Sequence, residues 1–474
     1  MLAEAPRGTC RVTKGFFGVL GFLTFQIAVA VAADEPAIPD DQLETPAQIW
    51  QRCQKTLLPF NFEIQKDEII QSDTRPDMKL RRVEVKFYSQ ELEGKKWGHP
   101  CVVYVPADQS VTHSSDRLGK CVIVGQRGWD GLATGPWRSA FLGNYGEPIA
   151  AETGYPTMIC PHPGEYDETP GKELSIGFLR DLWAKTRDDA DHSHFRLAIV
   201  YLRALDVMAE VMGVEKEQVR AIIGGHSKRA TCAHCAATAD SRIAGIVYMG
   251  NESAWTEGHL TYPERALFPP VAERYTKAKT LYIGGTNEDG YTMYNINQIV
   301  GLTGLEWTIS MVPNYRHASM SEKHFMNWKM WTAHCFEGRA VTKISDLAYE
   351  QKGEDFEWGG RLYGAGGGTL FKCKIDTPNK IIQAKVWYVY CDDEPYWRDL
   401  MWYPEFMVEQ PDGTWAGYVK GRLPDAWLVE VKDVACGRPG YVTSLPQNIT
   451  GKQTMRRISR GSRSRNWTPI TTRR

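Results

Sequence analysis

The alternation of apolar and polar positions changes character along the chain, and each change predicts a different kind of element. From Arg82 to Pro106 it has period two, as Val83-Glu84-Val85-Lys86-Phe87 and again around Val102-Val103-Tyr104-Val105, with a turn near Gly94-Lys95-Lys96. That pattern predicts an antiparallel hairpin. Short apolar runs without alternation follow: Cys121 to Val124, Thr157 to Cys160, Ala221 to Ile223, Ile243 to Met249, Thr280 to Ile283 and Thr308 to Val312. Runs of this kind suit strands covered on both faces. Helical spacing appears between several of them, most clearly from His194 to Met212, where Leu197, Val200, Tyr201, Leu205, Val207 and Met208 precede Gly213. Further helices are expected after Ser227 and from Ser321 to Cys335, with Phe325, Trp328, Trp331 and Cys335 as a core stripe. A mostly parallel sheet with helices on both faces follows from this alternation of elements.

Beyond about Ala340 the text turns to strands and turns: Phe371-Lys372-Cys373, Ile382 to Tyr390, Phe406-Met407-Val408, Trp415 to Tyr418 and Trp427 to Val431, punctuated by Gly364 to Gly368, Pro411-Asp412-Gly413 and Pro424-Asp425. These predict a β-sandwich-like module. The chain is thus divided into a signal at 1–33, a lead-in at 34–80, an α/β domain at 81–340, the β module at 341–447 and a basic, disordered tail at 448–474.

Composition narrows the class. Apolar residues make up 42% and charged residues 24% of the 474, which excludes a disordered, collagen-like or coiled-coil chain. Fifty-six Lys and Arg balance 57 Asp and Glu, so no global positive field exists to recruit nucleic acid. The ends depart from that balance. Eight basic side chains and no acid lie between Lys452 and Arg474. Basic residues up to Lys14, an apolar stretch from Gly15 to Ala33 and the small-residue site Ala30-Val31-Ala32 form a secretory signal. Cleavage is expected near Ala32 or Ala33, giving a periplasmic or extracellular protein; left uncut, the stretch reaches the roughly 18 residues of a membrane anchor, the only membrane contact expected. Export permits disulfides among the ten remaining cysteines, whose pairing spacing does not reveal. Cys232-Ala233-His234-Cys235 falls within the helix after Ser227 and reads as two buried small residues.

Chemistry concentrates at three strand ends. Ala221-Ile222-Ile223-Gly224-Gly225-His226-Ser227-Lys228-Arg229-Ala230 runs a buried strand through a tight turn into a helix, the setting of a nucleophile elbow. Gly225 meets the need for a small residue on one side of the serine; Arg229 stands where the second glycine of G-x-S-x-G is expected. The strand at Thr280 to Ile283 ends in Gly284-Gly285-Thr286-Asn287-Glu288-Asp289-Gly290, and the strand at Thr308 to Val312 ends in Pro313-Asn314-Tyr315-Arg316-His317. Serine, acid and histidine in that chain order, each after a strand, match the triad of an α/β-hydrolase fold. Ser227 is expected as nucleophile, His317 as general base and Asp289 as the acid that orients the imidazole, with Glu288 as the competing acid. An oxyanion hole would combine the N–H of Lys228 with one from the glycine-rich loop Gly125-Gln126-Arg127-Gly128-Trp129-Asp130-Gly131, where Gln126 is the candidate. Arg127, Lys228 and Arg229 form a basic cluster suited to a substrate carboxylate. His226, His324 and His334 read as structural. No HExxH or Cys/His ligand spacing calls for a metal, and no cofactor is expected.

The elbow Gly225-His226-Ser227-Lys228-Arg229, the block Val312-Pro313-Asn314-Tyr315-Arg316-His317, and the stretch from Lys385-Val386-Trp387 through Arg398-Asp399 to Pro424, Trp427 and Glu430 resemble the PhoPQ-activated pathogenicity-related family of secreted α/β-hydrolase-like proteins. The likeness runs from about Val83 to Pro446, with Ala230 where that family has Gly. The elbow is also similar to those of glucuronoyl and acetyl-xylan esterases, whose nucleophile is likewise followed by a basic residue. These resemblances imply an exported serine esterase acting on a small-molecule or saccharide ester. The alternative is a non-catalytic envelope or carbohydrate-binding protein on the same scaffold, in which Trp387, Trp397, Trp402, Trp415 and Trp427 could stack on sugar rings.

Overall fold

The structure is a computed structural model that describes residues 44–108, 114–126, 141–161, 176–250, 276–288, 296–297, 300, 306–354, 356–363, 366–391 and 399–450. The expected signal at 1–33, Asp289 and Trp397 lie outside the described residues, as do residues 451–474 of the tail expected from 448, whose first residue Asn448 instead pairs with Ala426. The described residues belong to one compact unit.

Nine strands make the central sheet: β1 (Phe62–Gln71), β2 (Lys79–Leu92), β3 (Lys95–Pro106), β4 (Lys120–Gln126), β5 (Thr157–Pro161), β6 (Arg220–His226), β7 (Ile243–Met249), β8 (Lys279–Gly285) and β9 (Thr308–Val312), in the order β1-β2-β3-β5-β4-β6-β7-β8-β9. The expected hairpin is β2 and β3, with Val85 opposite Cys101 and Leu92 opposite Lys95. Only Glu93 and Gly94 remain to turn the chain, at φ 48° and 73°. Positive φ at both positions gives the turn the twist that adjacent strands require. From β5 to β9 the neighbouring strands are parallel, and each coincides with one of the apolar runs.

Helices α1 (Pro46–Cys53), α2 (Glu147–Thr153), α3 (Ile176–Thr186), α4 (Ser193–Met212), α5 (Lys228–Ala239) and α6 (Glu322–Phe336) flank the sheet. Successive strand residues face opposite layers. Ile123, Ile223 and Ile246 pack with α1, α4 and α5, whereas Val122, Ile222 and Val247 pack with α2 and α6. Helix α4 ends at Gly213, φ 67°, a left-handed position that glycine fills without steric cost. Fourteen of its twenty residues are buried, so α4 is an interior helix and its apolar pattern extends almost all round.

The lead-in expected at 34–80 is folded from Thr45 onward. Thr45 caps α1 through a capping box. The Trp50 ring meets Phe195 edge to face at 5.6 Å, and its indole N–H donates to Thr238 Oγ1 at 3.4 Å. Strand β1 extends the sheet edge antiparallel to β2.

The C-terminal part contains β10 (Lys343–Lys352), the hairpin β11 (Phe356–Trp358) and β12 (Arg361–Tyr363), then β13 (Gly368–Asp376), β14 (Lys380–Val389), β15 (Trp402–Phe406), β16 (Val408–Glu409), β17 (Trp415–Lys420), β18 (Ala426–Ala435) and β19 (Arg438–Thr443). Two larger antiparallel sheets result, β10-β13-β17-β16 and β15-β14-β18-β19, the second gaining a fifth strand, β20 (Gln447–Asn448), that pairs with the start of β18. Phe371, Cys373, Val386, Val419, Trp427 and Val429 fill the space between them. Trp427 is buried there against Phe371, at 4.6 Å between centroids, and Trp402 is buried in the cluster shared with the α/β part. Core packing therefore accounts for both of these tryptophans.

A buried ion pair locks the passage from α6 into this module. Arg339 meets Asp433, with side chains 0% and 1% exposed. Thr342 Oγ1 and Asn379 Nδ2 donate to the other Asp433 oxygen at 2.5 and 2.7 Å. Truncating one partner strands the other charge in a dry site, so Asp433→Ala is expected to cost about 3–5 kcal/mol in urea unfolding. A second expectation concerns acid. Burial pushes His99, His234 and His324 each down to about 3. Below the unfolded-state value of 6.5 the unfolded chain takes up protons that the folded chain refuses, so stability falls as pH drops from 6.5 towards 3. Each imidazole contributes a slope of up to about 1.4 kcal/mol per pH unit, so the urea midpoint should decline steadily between pH 7 and 5.

Candidate active site

Strand order fixes where a site can form. The chain passes from β4 outward to β5, then crosses to β6 on the other side of β4, so neighbouring connections leave β4 and β6 in opposite directions. A crevice opens at the carboxyl ends of strands where the order reverses in this way. Ser227 sits there, immediately after β6, and Gln126 ends β4 one strand away.

Ser227 has φ 60° and ψ −132° before the first turn of α5. A non-glycine residue in this region carries roughly 1–3 kcal/mol of strain, which the surroundings must sustain. The serine N–H donates to Met249 O at 2.8 Å, and its carbonyl accepts from Ala230 N at 2.8 Å. A Cβ at Gly225 would lie 2.5 Å from Arg229 Cβ and 2.9 Å from Gly125 O. Residues two before and two after the serine thus converge until only one can carry a Cβ. Gly225 gives way, which is why Arg229 is tolerated where a second glycine was expected.

Two further loops meet this elbow. His317 follows β9, and its Nδ1 lies 2.7 Å from Glu288 Oε2. Its ring lies 4.4 Å, centroid to centroid, from that of His226, the residue before Ser227. The imidazole is thereby held against the elbow, with its side chain 27% exposed. The carboxylate beside it belongs to Glu288, the competing acid of the sequence reading; Asp289 lies outside the described residues. Glu288 is 2% exposed, and its other oxygen accepts from Gly285 N at 3.4 Å. Gly250, at φ 41°, borders the same carboxylate: a Cβ there would stand 2.7 Å from Oε1.

The acid and histidine loops interlock. Asn287 N donates to Tyr315 O at 3.0 Å, Thr286 N to Val312 O at 3.1 Å, and Asn314 N to Thr286 Oγ1 at 3.0 Å. Two asparagines then tie both loops to the segment entering β15. Asn287 Nδ2 donates to Leu400 O at 2.7 Å, while Asn314 exchanges hydrogen bonds with the Trp402 backbone at 2.9 and 2.7 Å. Sequence reasoning missed this clamp and the roles of His226 and Gly250. Asparagine at two strand ends was the available signal, but such residues also form ordinary turns.

Lys228 is the first residue of α5, where backbone N–H groups have no intrahelical acceptor. Burial and the Lys228 charge push His192 down to about 4. Arg229, by contrast, is buried beneath the elbow. The side chains of Gln126 and Arg127 lie outside the described residues. Among the described residues no group of three or more His, Cys, Asp or Glu could hold a metal ion. Nor is any described helix long and apolar enough to cross a membrane.

Strand order, elbow and loop placement define an α/β-hydrolase fold followed by antiparallel sheets. No family model matches the chain, and no curated protein does, so the PhoPQ-related resemblance rests on its motifs. Solved structures similar to part of it include a cold-adapted esterase from an Arctic intertidal metagenomic library, 16% identical, covering 59% of this chain and 100% of that one, TM-score 0.39. Acetyl xylan esterase 1 from Thermoanaerobacterium sp. JW/SL YS485 is 12% identical over 61% of this chain and 92% of that one, TM-score 0.40. A glucuronoyl esterase from Solibacter usitatus is 13% identical over 58% and 84%, TM-score 0.36.

The slot at Gly250 yields a direct test. Gly250→Ala forces the new methyl against the Glu288 carboxylate and adds backbone strain, at an expected cost of roughly 1–3 kcal/mol. A crystal structure of the variant should show Glu288 displaced from His317. An unchanged denaturation midpoint and an undisturbed carboxylate would show that the slot is not tight.

Proposed function

We propose that the chain is an exported serine hydrolase, an esterase of a small-molecule or saccharide ester, with Ser227 as nucleophile, His317 as general base and Glu288 as its acid. The 2.7 Å contact between His317 Nδ1 and a buried glutamate, beside a serine in a strained turn, carries this reading. With Nδ1–H committed to Glu288, the imidazole presents Nε2 as proton acceptor. Ser227 Oγ attacks the acyl carbon as His317 takes its proton. The same proton then passes to the departing alcohol, leaving an acyl-enzyme that water cleaves by the reverse sequence. The Lys228 N–H and one from the loop beginning at Gln126 would receive the developing oxyanion, each donor supplying about 3–4 kcal/mol. Export rests on the basic, apolar and small-residue order of the first 33 residues.

Ser227→Ala is expected to abolish turnover of a simple aryl ester and labelling by a fluorophosphonate; undiminished labelling of the variant would refute the nucleophile. Glu288→Gln should lower kcat by about four orders of magnitude, because the wrong tautomer then predominates. Asp289→Asn should leave kcat within a few-fold of wild type, and the reverse ranking would transfer the acid's role to Asp289.

A further inference from the structure

Two thiols occupy one row of the sheet beneath the catalytic rim. Strands β3 and β5 are antiparallel, with Val102 opposite Ile159 and Val103 opposite Met158. Carried one residue further, this register sets Cys101 opposite Cys160. Both are buried, 0% and 2% exposed, and the Cys101 thiol lies within hydrogen-bonding reach of Cys160. Cys160 pairs in turn with Gly125 of β4, and Gly125 with Gly225 of β6, so the row ends two residues before Ser227.

Residues directly opposite on neighbouring antiparallel strands bring their Cβ atoms to about 4.5–5.5 Å, and a disulfide spans about 3.5–4.5 Å. Joining these sulfurs therefore needs rotation about χ1 and a slight approach of the strands. We propose that Cys101 and Cys160 form a cross-strand disulfide as the chain folds in an oxidising compartment. The oxidant is a disulfide donor of the oxidised-glutathione class. One cysteine thiolate attacks a donor sulfur and releases a thiol. The second thiolate then displaces the remaining half, so two electrons and two protons leave with the reduced donor and one S–S bond joins β3 to β5.

Timing follows from burial. In the folded chain burial raises the Cys101 thiol well above its usual range, so little of the attacking thiolate exists there. Oxidation accordingly belongs to folding, before this row is covered. The same cover then shields the bond from reductants. Its mechanical effect is to tie the antiparallel edge of the sheet to the strand beside β4, from whose end the oxyanion loop departs. The bond rests on the proposed export, which supplies the oxidising compartment, but not on the ester chemistry of Ser227, so the disulfide and the esterase activity can fail separately.

The test uses the full chain, reduced in denaturant and refolded in a glutathione redox buffer. Remaining thiols are alkylated in denaturant, and the digest is analysed by mass spectrometry without reduction. A linked peptide pair containing Cys101 and Cys160, lighter by two hydrogens than the separate thiol peptides and lost on adding reductant, is the expected result. Reduction should also lower the wild-type melting temperature by roughly 3–5 °C, while Cys101→Ala/Cys160→Ala is unmoved by reductant. Alkylation of both thiols in the refolded wild type overturns the proposal, as does a bridge from either to a different cysteine.

Discussion

The close approach of Gly225 to Arg229 is the constraint on which the site rests. Ser227 can hold φ 60° and ψ −132° only because the backbone on either side folds back on itself. The absent Cβ at residue 225 makes that folding sterically possible. Strain of this size, roughly 1–3 kcal/mol, is sustained by the neighbouring structure rather than by the turn alone. Here the neighbours are β7, whose last residue accepts the Ser227 N–H, and α5, which begins at the next residue. Parallel pairing of β6 with both β4 and β7 holds the strand rigid up to the turn.

A rigid serine is useful only if the other two loops are equally fixed, and the packing supplies that by direct backbone contact. Gly285 has no room for a side chain because Tyr315 O would lie 2.0 Å from its Cβ, so the acid turn and the histidine loop touch main chain to main chain. Asn287 and Asn314 then carry the load outward to residues 400–402. The C-terminal sheets therefore brace the acid and histidine loops as well as packing against each other. The Arg339–Asp433 pair anchors the same module at the far end of α6, leaving it little freedom to shift relative to the loops it supports.

What could be read from the sequence divides along physical lines. Strands β4 to β9 are buried on both faces, so each leaves an unbroken apolar run that a reader can find. Strand β10 is largely exposed and polar, as is much of the edge strand β1, and neither leaves such a trace. The elbow was legible because its strand, turn and helix are local. The contact between Glu288 and His317 was not, because it depends on how a turn after β8 sits against a loop after β9. Asparagine side chains bonded to distant carbonyls leave no periodicity at all, so the clamp on residues 400–402 left only asparagine at two strand ends, a signal shared with ordinary turns. Arg229 misled in the opposite sense: a motif counted by glycines looked incomplete, although the geometry requires only one of the two positions to lack a Cβ.

At the rim the His317 imidazole has surroundings unlike those of the buried histidines. Burial alone weakens an imidazole as a proton acceptor, as His99, His234 and His324 demonstrate at about 3 each. His317 differs in two respects: its side chain is partly open to solvent, and a carboxylate faces its Nδ1 at 2.7 Å. That carboxylate is itself almost wholly buried, where an unpaired charge would be expensive. The Gly285 N–H and the imidazole together provide its hydrogen bonds, so Glu288 and His317 each supply what the other lacks. The contact between Glu288 and His317 thus forms only when both loops are in place, which couples it to the backbone hydrogen bonds between the loops that follow β8 and β9.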